Sequence, residues 1–358
     1  MLFRSFADYA AYLCGLPEPP FAPADCAAHA AAGRTASAVD LNLPSIGVAR
    51  LISGDVVRRS VTNIGPPASF TAELIEPPDL DIVVEPPTLV LGTGQTAEFN
   101  VRFIDQGAER DVWSFGELAW ASSAHRVESP LAVKVVTVRT PPEMFLTGRQ
   151  GTVAVPVAFG YSGAYGALVH GLRLPTLDES GQVPRGFVDD DPTNNFTFRE
   201  GNGVTMHALT VPANQLLLRV ALFDEETDGQ DDLDLFLFYC PNNQCSQLAK
   251  SDGVTSDEEI DIPLPQAGSY ALLVHGFETD QVAGGPGANY SLFTWSIGLN
   301  DAVGNLAVTG PTVVGNGDRA DLQLQWSGLD PASRYLGAIS HTTPNGLYDA
   351  TVINVVTP

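Results

Sequence analysis

The chain has 358 residues, 44% of them hydrophobic, which exceeds what one core serves, so two to four domains are expected. Eighteen Lys and Arg against 42 Asp and Glu give a formal net charge of −24, which repels phosphate backbones and anionic membranes and excludes nucleic acid as a natural partner. Gly 34 and Pro 27 mark a folded chain rich in turns, and no apolar run approaches the roughly eighteen residues of a membrane helix, so membrane insertion is not expected.

Ser5 followed by Asp8 has capping-box spacing, and Phe6, Tyr9, Ala10 and Leu13 recur at helical intervals before Gly15. One short N-terminal helix is predicted. Asp8 interrupts the apolar start and no small-residue cleavage site follows, so this is not a secretion signal, and an exported protein would need more sequence upstream. Residues 17–38, P-E-P-P-F-A-P-A-D-C and an Ala-rich stretch, are predicted as a linker. The cysteines form two close pairs, Cys14 with Cys26 and Cys240 with Cys245, neither at the C-x-x-C spacing of a zinc knuckle. Two local disulfides, each worth roughly 2 to 3 kcal/mol by loop entropy, would place the protein outside the cytoplasm; four buried free thiols are the alternative.

From Leu41 to Arg139 apolar residues alternate in runs of five to eight, broken by Gly, Pro and Asn. A β-sandwich of about seven strands is predicted, with Trp113, Phe115, Leu118 and Trp120 facing its core. The segments R-R-S-V-T-N-I-G (Arg58 to Gly65), S-F-T-A-E-L (Ser69 to Leu74), G-Q-T-A-E-F-N-V-R-F (Gly94 to Phe103) and W-S-F-G-E-L-A-W through S-P-L-A-V (Trp113 to Val133) follow one another. In that order they resemble the fibronectin-III-like domain behind the catalytic domain of subtilisin-like serine proteases. Glu128 stands where that family commonly has Arg before Ser-Pro. D-Y-A-A-Y-L-C-G-L (Asp8 to Leu16) resembles the segment closing the catalytic domain of plant-type subtilases, which implies that residues 1–39 are a remnant of that domain and a linker.

Residues 150–182 hold two strands without a complete sandwich of their own. The tail from Gly304, with L-Q-L-Q-W-S-G-L, R-Y-L-G-A-I-S-H and Y-D-A-T-V-I-N-V-V, supplies roughly five more. We expect 145–182 and 303–358 to form one discontinuous immunoglobulin-like sandwich, with the tail as a separate small sandwich the alternative. The intervening segment, residues 186–300, carries N-N-F-T-F, A-L-F-D-E-E-T-D-G-Q-D-D-L-D-L-F-L-F, A-G-S-Y-A-L-L-V-H-G-F and N-Y-S-L-F-T-W. It resembles the bacterial pre-peptidase C-terminal domain, a jelly-roll-like β-sandwich of secreted proteases. The fold class is therefore all-β: tandem β-sandwiches, fibronectin-III/immunoglobulin-like and jelly-roll-like, with a short N-terminal helix.

Between Gly186 and Asp261 there are 16 acidic residues against three basic ones. The densest run, Asp224 to Asp234, suits calcium, which takes six to eight oxygens at flexible geometry. Counted as an EF-hand, it puts Leu235 where the twelfth-position Glu belongs, and its flanks are strands, so a sandwich-loop site is preferred. The pre-peptidase resemblance implies calcium at Asp224, Asp228, Asp231, Asp232 and Asp234, with Asp189, Asp190 and Asp191 able to contribute; a solvated acidic hairpin is the alternative. Six histidines show no ligand-spaced pair, and His275, inside A-L-L-V-H-G-F, is read as a hydrogen-bonded strand histidine. The subtilase nucleophile segment G-T-S-M-A-x-P is absent from this sequence, so no catalytic residue is named and this chain is not expected to be an enzyme as given. Tyr239, Phe277, Tyr290 and Phe293 are candidates for a substrate-facing patch. The resemblances imply a non-catalytic accessory region of a secreted subtilisin-like endopeptidase, partnered by its own catalytic domain and by polypeptide or matrix substrates. A free-standing extracellular binding module for carbohydrate or matrix protein is the alternative. A metal-dependent hydrolase fails for want of a His or Glu base beside the Asp cluster.

Overall fold

The computed structural model describes residues 6–16, 19–191, 193–279, 281–282 and 285–358. Strands dominate it, and the chain is all-β with sandwich-like pairs of sheets. The predicted helix spans Phe6–Leu13, with Ala10 and Ala11 buried. A second helix, Pro23–Ala31, lies within residues 17–38, the stretch expected as a linker. Proline sits in its first turn, where a missing N–H costs nothing, and alanine carries the rest. Cys14 and Cys26 join the two helices in a disulfide, and Cys240 and Cys245 form a second within a tight turn.

In the first sandwich a five-stranded sheet runs in the order Ile46–Leu51, Arg126–Val135, Trp113–Ala121, Ala68–Ile75, Thr88–Leu91. It faces a three-stranded sheet of Gly54–Thr62, Thr96–Asp105 and Leu80–Glu85. Phe99, Phe103, Leu118, Trp120, Leu131 and Val133 fill the space between, with Phe99 edge-on to Trp120 at 5.0 Å. The expectation for Trp113 and Phe115 is wrong: they are 43% and 69% exposed, whereas Leu118 and Trp120 are 0% and 3%. Side chains alternate across a strand, so residues 113 and 115 cannot share a face with 118 and 120.

A second pair of sheets joins strands distant in sequence. Glu143–Thr147, Gly346–Thr357, Ser333–Thr343 and Gly166–Arg173 form one sheet. Leu306–Thr309, Arg319–Trp326, Gly151–Phe159 and Val138–Arg139 form the other. Phe159, Tyr165, Leu322, Leu324, Trp326, Ile339 and Ile353 lie in their shared core.

The intervening chain builds a four-stranded sheet, Val204–Val211, Gly268–Glu278, Asp232–Tyr239 and Ser246–Ser251. It packs on a three-stranded sheet of Glu258–Pro263, Gln215–Leu222 and Phe293–Gly298. Leu218, Val220, Leu222, Leu233, Leu235, Leu237, Leu272 and Val274 separate the two. The run Q-L-L-L-R-V-A-L lacks alternation because both its faces are covered: Leu217 and Ala221 pack with Phe293, Trp295, Leu336 and Val352, two of which belong to the second pair of sheets. Arg219 lies in this seam at 1% exposure. It donates to Glu143 and Asp261 at 2.6 Å each, and Glu259 stands 2.9 Å away.

Candidate functional site: the acidic loop and a buried histidine clamp

The acidic loop begins as a short 3-10 turn, Asp224–Glu226, between two fully covered strands. Asp257 accepts the Asp224 backbone N–H at 2.9 Å, and the Thr227 hydroxyl donates to the Asp224 carbonyl at 2.9 Å. Asp228 turns away from its neighbours, its carboxylate accepting the backbone N–H of Asn289 at 2.7 Å and the Asn289 side-chain amide. The Asp231 carbonyl accepts the buried Ser256 hydroxyl at 2.8 Å. Asp232 keeps one buried carboxylate oxygen without a hydrogen-bond partner. Burial, followed by repulsion from Asp234, Glu278 and Asp224, raises its pKa above the usual range. Glu258, 2% exposed, is raised likewise, by burial first, against the opposing bonds it accepts from Ser251 and Gly253.

Asp234 and Asp191 are engaged elsewhere. Antiparallel pairing sets Asp234 directly across from His275, and the His275 Nδ1 lies 2.9 Å from Asp234 Oδ2. Its Nε2 lies 3.1 Å from Asp191 Oδ2. Both ring nitrogens meet carboxylates, so the doubly protonated ring, which donates from both, is the form that satisfies the site. Desolvation alone would lower the His275 pKa, but the bonds to Asp234 and Asp191 outweigh it and raise it. Burial pushes the Asp191 carboxyl the other way, yet the donors Thr193 Oγ1 (2.7 Å), Thr193 N (2.9 Å), His275 and Asn195 N (3.0 Å) hold it well below the usual carboxylate range. Two glycines allow this approach: a Cβ on Gly276 would sit 2.5 Å from the Asp189 carbonyl, and one on Gly203, at φ +76, 2.5 Å from Asp191 Cβ. Phe196 and Phe236 stand edge-on to the imidazole at 5.8 and 6.2 Å, closing it from water.

The carboxylates named from sequence are thus split. Asp191 and Asp234 clamp His275, Asp228 holds Asn289, and Asp190 accepts the Thr279 N–H at 3.1 Å. Among the described residues no three His, Cys, Asp or Glu side chains converge as a metal cage. The clamp was missed because sequence gives His275 no acidic neighbour within reach; its one signal is a histidine inside an apolar strand. The aromatic patch does not assemble either. Tyr290 is 2% exposed, its hydroxyl 2.7 Å from His207 Nε2, and Phe293 is 4% exposed and stacked on Trp295. Tyr239 packs on Tyr270 at 5.0 Å, leaving Phe277, at 36%, as the most exposed of the four.

A fibronectin type-III domain model matches residues 40–133, the span of the first sandwich. The first sandwich is a fibronectin type-III domain. Subtilisin-like protease SBT5.4 of Arabidopsis thaliana is 36% identical to the chain over 101 residues, covering 28% of this chain and 13% of that protein. Subtilisin-like protease SBT3.2 of the same plant is 33% identical over 131 residues, covering 36% and 18%. The chain therefore spans less than a fifth of either relative, and the fibronectin type-III domain is of the kind found in subtilisin-like proteases. Among solved structures, the secreted serine protease VesC from Vibrio cholerae is 10% identical with a TM-score of 0.22, covering 70% of this chain and 49% of that one. At that level the likeness carries no statement about fold or activity.

Proposed function

We propose that this chain is the non-catalytic accessory region of a secreted subtilisin-like serine endopeptidase. The observation that carries the reading is the fibronectin type-III match over residues 40–133, together with 36% identity to a subtilisin-like protease over 101 residues. In this reading residues 1–39 are the end of the catalytic domain and a linker, and residues 40–140 buttress that domain. Residues 145–182 with 303–358 form an immunoglobulin-like sandwich carrying the pre-peptidase-like insert, residues 186–300. These outer modules serve secretion, stability or attachment of polypeptide substrate. The two disulfides suit an oxidising compartment, and no described helix is long and apolar enough to cross a membrane. Sequencing the gene upstream of Met1 tests the proposal. An in-frame catalytic domain with a G-T-S-M-A-x-P segment supports it; a stop codon or a signal peptide directly before Met1 overturns it in favour of an independent binding protein.

Calcium enters this reading as a structural ion of the Asp224–Asp234 loop, supported by the burial, and after it the like-charge repulsion, that raise Asp232 and Glu258. The described carboxylates do not form a cage as they stand, so binding would have to gather Asp224 and Asp232 with further oxygens. Thermal unfolding with and without a chelator is the check. If Asp231→Asn with Asp232→Asn leaves the midpoint and its calcium dependence unchanged, the assignment fails.

A further inference from the structure

Three arginines meet in a groove at the seam of the first two sandwiches, outside everything considered so far. Arg139 pairs with Ala158, and Ala158 pairs with Arg319 on its other side. Residues in one cross-strand row share a face, so both arginines rise from the same side of the sheet with a single methyl group between them. At about 4.8 Å per strand, their Cα atoms stand roughly 10 Å apart. Two residues along, Pro156 and Asp321 pair on the same face and extend the floor. Arg50, from the strand Ile46–Leu51, closes one side, its carbonyl accepting Arg139 Nη1 at 3.1 Å. With Thr140, Pro141, Val157 and Ala320 these residues line an open groove of about 560 Å³.

Carboxylates outnumber cations 42 to 18 in this chain, so arginines standing without a close acid are unexpected. Among the described residues Arg50 pairs with Asp349, at 3.7 Å. Arg139 donates to a carbonyl, and among the described residues no ion pair reaches Arg319, which is exposed. Asp321 lines the groove and Asp55 attracts Arg139 from nearby, yet burial first, and then repulsion from Arg319 and Arg50, keep the Arg139 pKa below its ordinary value. At Arg139, burial and repulsion from Arg319 and Arg50 outweigh the attraction of Asp55, so its guanidinium still gains from a further anion. Guanidinium groups present paired N–H donors that match the oxygens of a tetrahedral anion, and two such forks on opposite walls reach one anion between them.

We propose that this groove binds a sulfate or phosphate group, with Arg139 and Arg319 as opposing clamps, Arg50 as the third cation and the Ala158–Pro156 floor taking an apolar substituent. The site is independent of the protease reading and stands or falls without it. The test is calorimetric titration of the full chain with inorganic phosphate and with sulfate, against chloride at matched ionic strength. Saturable binding of either oxyanion is expected, roughly tenfold weaker in Arg319→Gln. Arg319 is exposed, so that variant is expected to fold. Arg102→Gln, whose exposed side chain is paired with Glu85 away from the groove, is expected to bind as the parent does. Phenyl phosphate distinguishes the source: tighter binding than the free ion identifies an ester, and equal binding the inorganic ion. Absence of saturable binding, equal response to chloride, or undiminished binding in Arg319→Gln overturns the proposal.

Discussion

His341 and His275 are buried alike, at 0% and 1% exposure, one in the second pair of sheets and the other in the acidic module. His341 meets only neutral groups, the Tyr165 hydroxyl 2.7 Å from Nδ1 and the Thr351 hydroxyl 3.0 Å from Nε2. The Thr351 hydroxyl donates to the Pro141 carbonyl, so it accepts from Nε2–H, and the Tyr165 hydroxyl donates to Nδ1. Burial, with a small push from Arg50, lowers the His341 pKa to about 4. His275 meets two carboxylates and moves the opposite way. Equal burial thus favours the neutral ring in one place and the protonated ring in the other, and the partners decide which.

The largest way to break this contrast is to remove the cation from its acids. His275→Leu leaves Asp191 and Asp234 buried at 3% and 5% without it, and is expected to cost about 3 to 5 kcal/mol in chemical denaturation. His341→Leu, which abandons only neutral hydrogen bonds, should cost about 1 to 3 kcal/mol. If the two substitutions cost the same, the charge on His275 is not what holds the clamp. Arg219→Leu comes next, at about 3 kcal/mol, the low end for a broken buried pair. Two of its partners, Glu259 and Asp261, are 39% and 33% exposed and can rehydrate, while the third, Glu143, is 15% exposed.

The same contrast predicts opposite pH slopes. His341 has its folded pKa below the unfolded value, so the unfolded chain binds more protons in the window from about 6.5 down to about 4, and stability falls with acid there. The loss is on the order of 2 to 3 kcal/mol. His275 has its folded pKa raised, so its stabilisation is fully present below pH ~6.5 and is lost as pH rises through the folded value. Urea midpoints measured across pH should show both arms. His341→Gln should flatten the acid arm and His275→Gln the alkaline one; a profile unmoved by either substitution removes the assignment.

Why the fold was more legible than the site follows from which forces are local. Alternation at Phe99–Phe103 and Leu131–Val135 marks strands because each residue's neighbours two positions away share its burial. The helix Pro23–Ala31 is hidden in sequence by a cluster of prolines that reads as a breaker, yet only Pro23 falls inside it, in the one turn that tolerates proline. The site depends on pairing across distance: His275 lies 41 residues from Asp234 and 84 from Asp191. No spacing rule reaches that far. In sequence the carboxylates Asp191 and Asp234 are candidates to hold a cation, and in the structure each faces the imidazole of His275. Arg219 is illegible in sequence for the same reason, since Glu143 is 76 residues away.

The smallest expected effect concerns a hydrophobic side chain left largely in solvent. Phe115 pairs across from Ala132 on the outer face of the first sandwich and is 69% exposed. Trp113, two residues earlier on that face, at least has the Lys134 ammonium 5.3 Å from its ring centre. Phe115→Ser should therefore shift stability by no more than about 0.5 kcal/mol. Trp120, on the opposite face of the same strand, provides the scale, since truncating a buried tryptophan to alanine costs about 3 to 5 kcal/mol. A loss of several kcal/mol from Phe115→Ser would mean that this face is covered in solution. An unchanged midpoint leaves the sandwich core on the even-numbered side of the strand, where Leu118 and Trp120 place it.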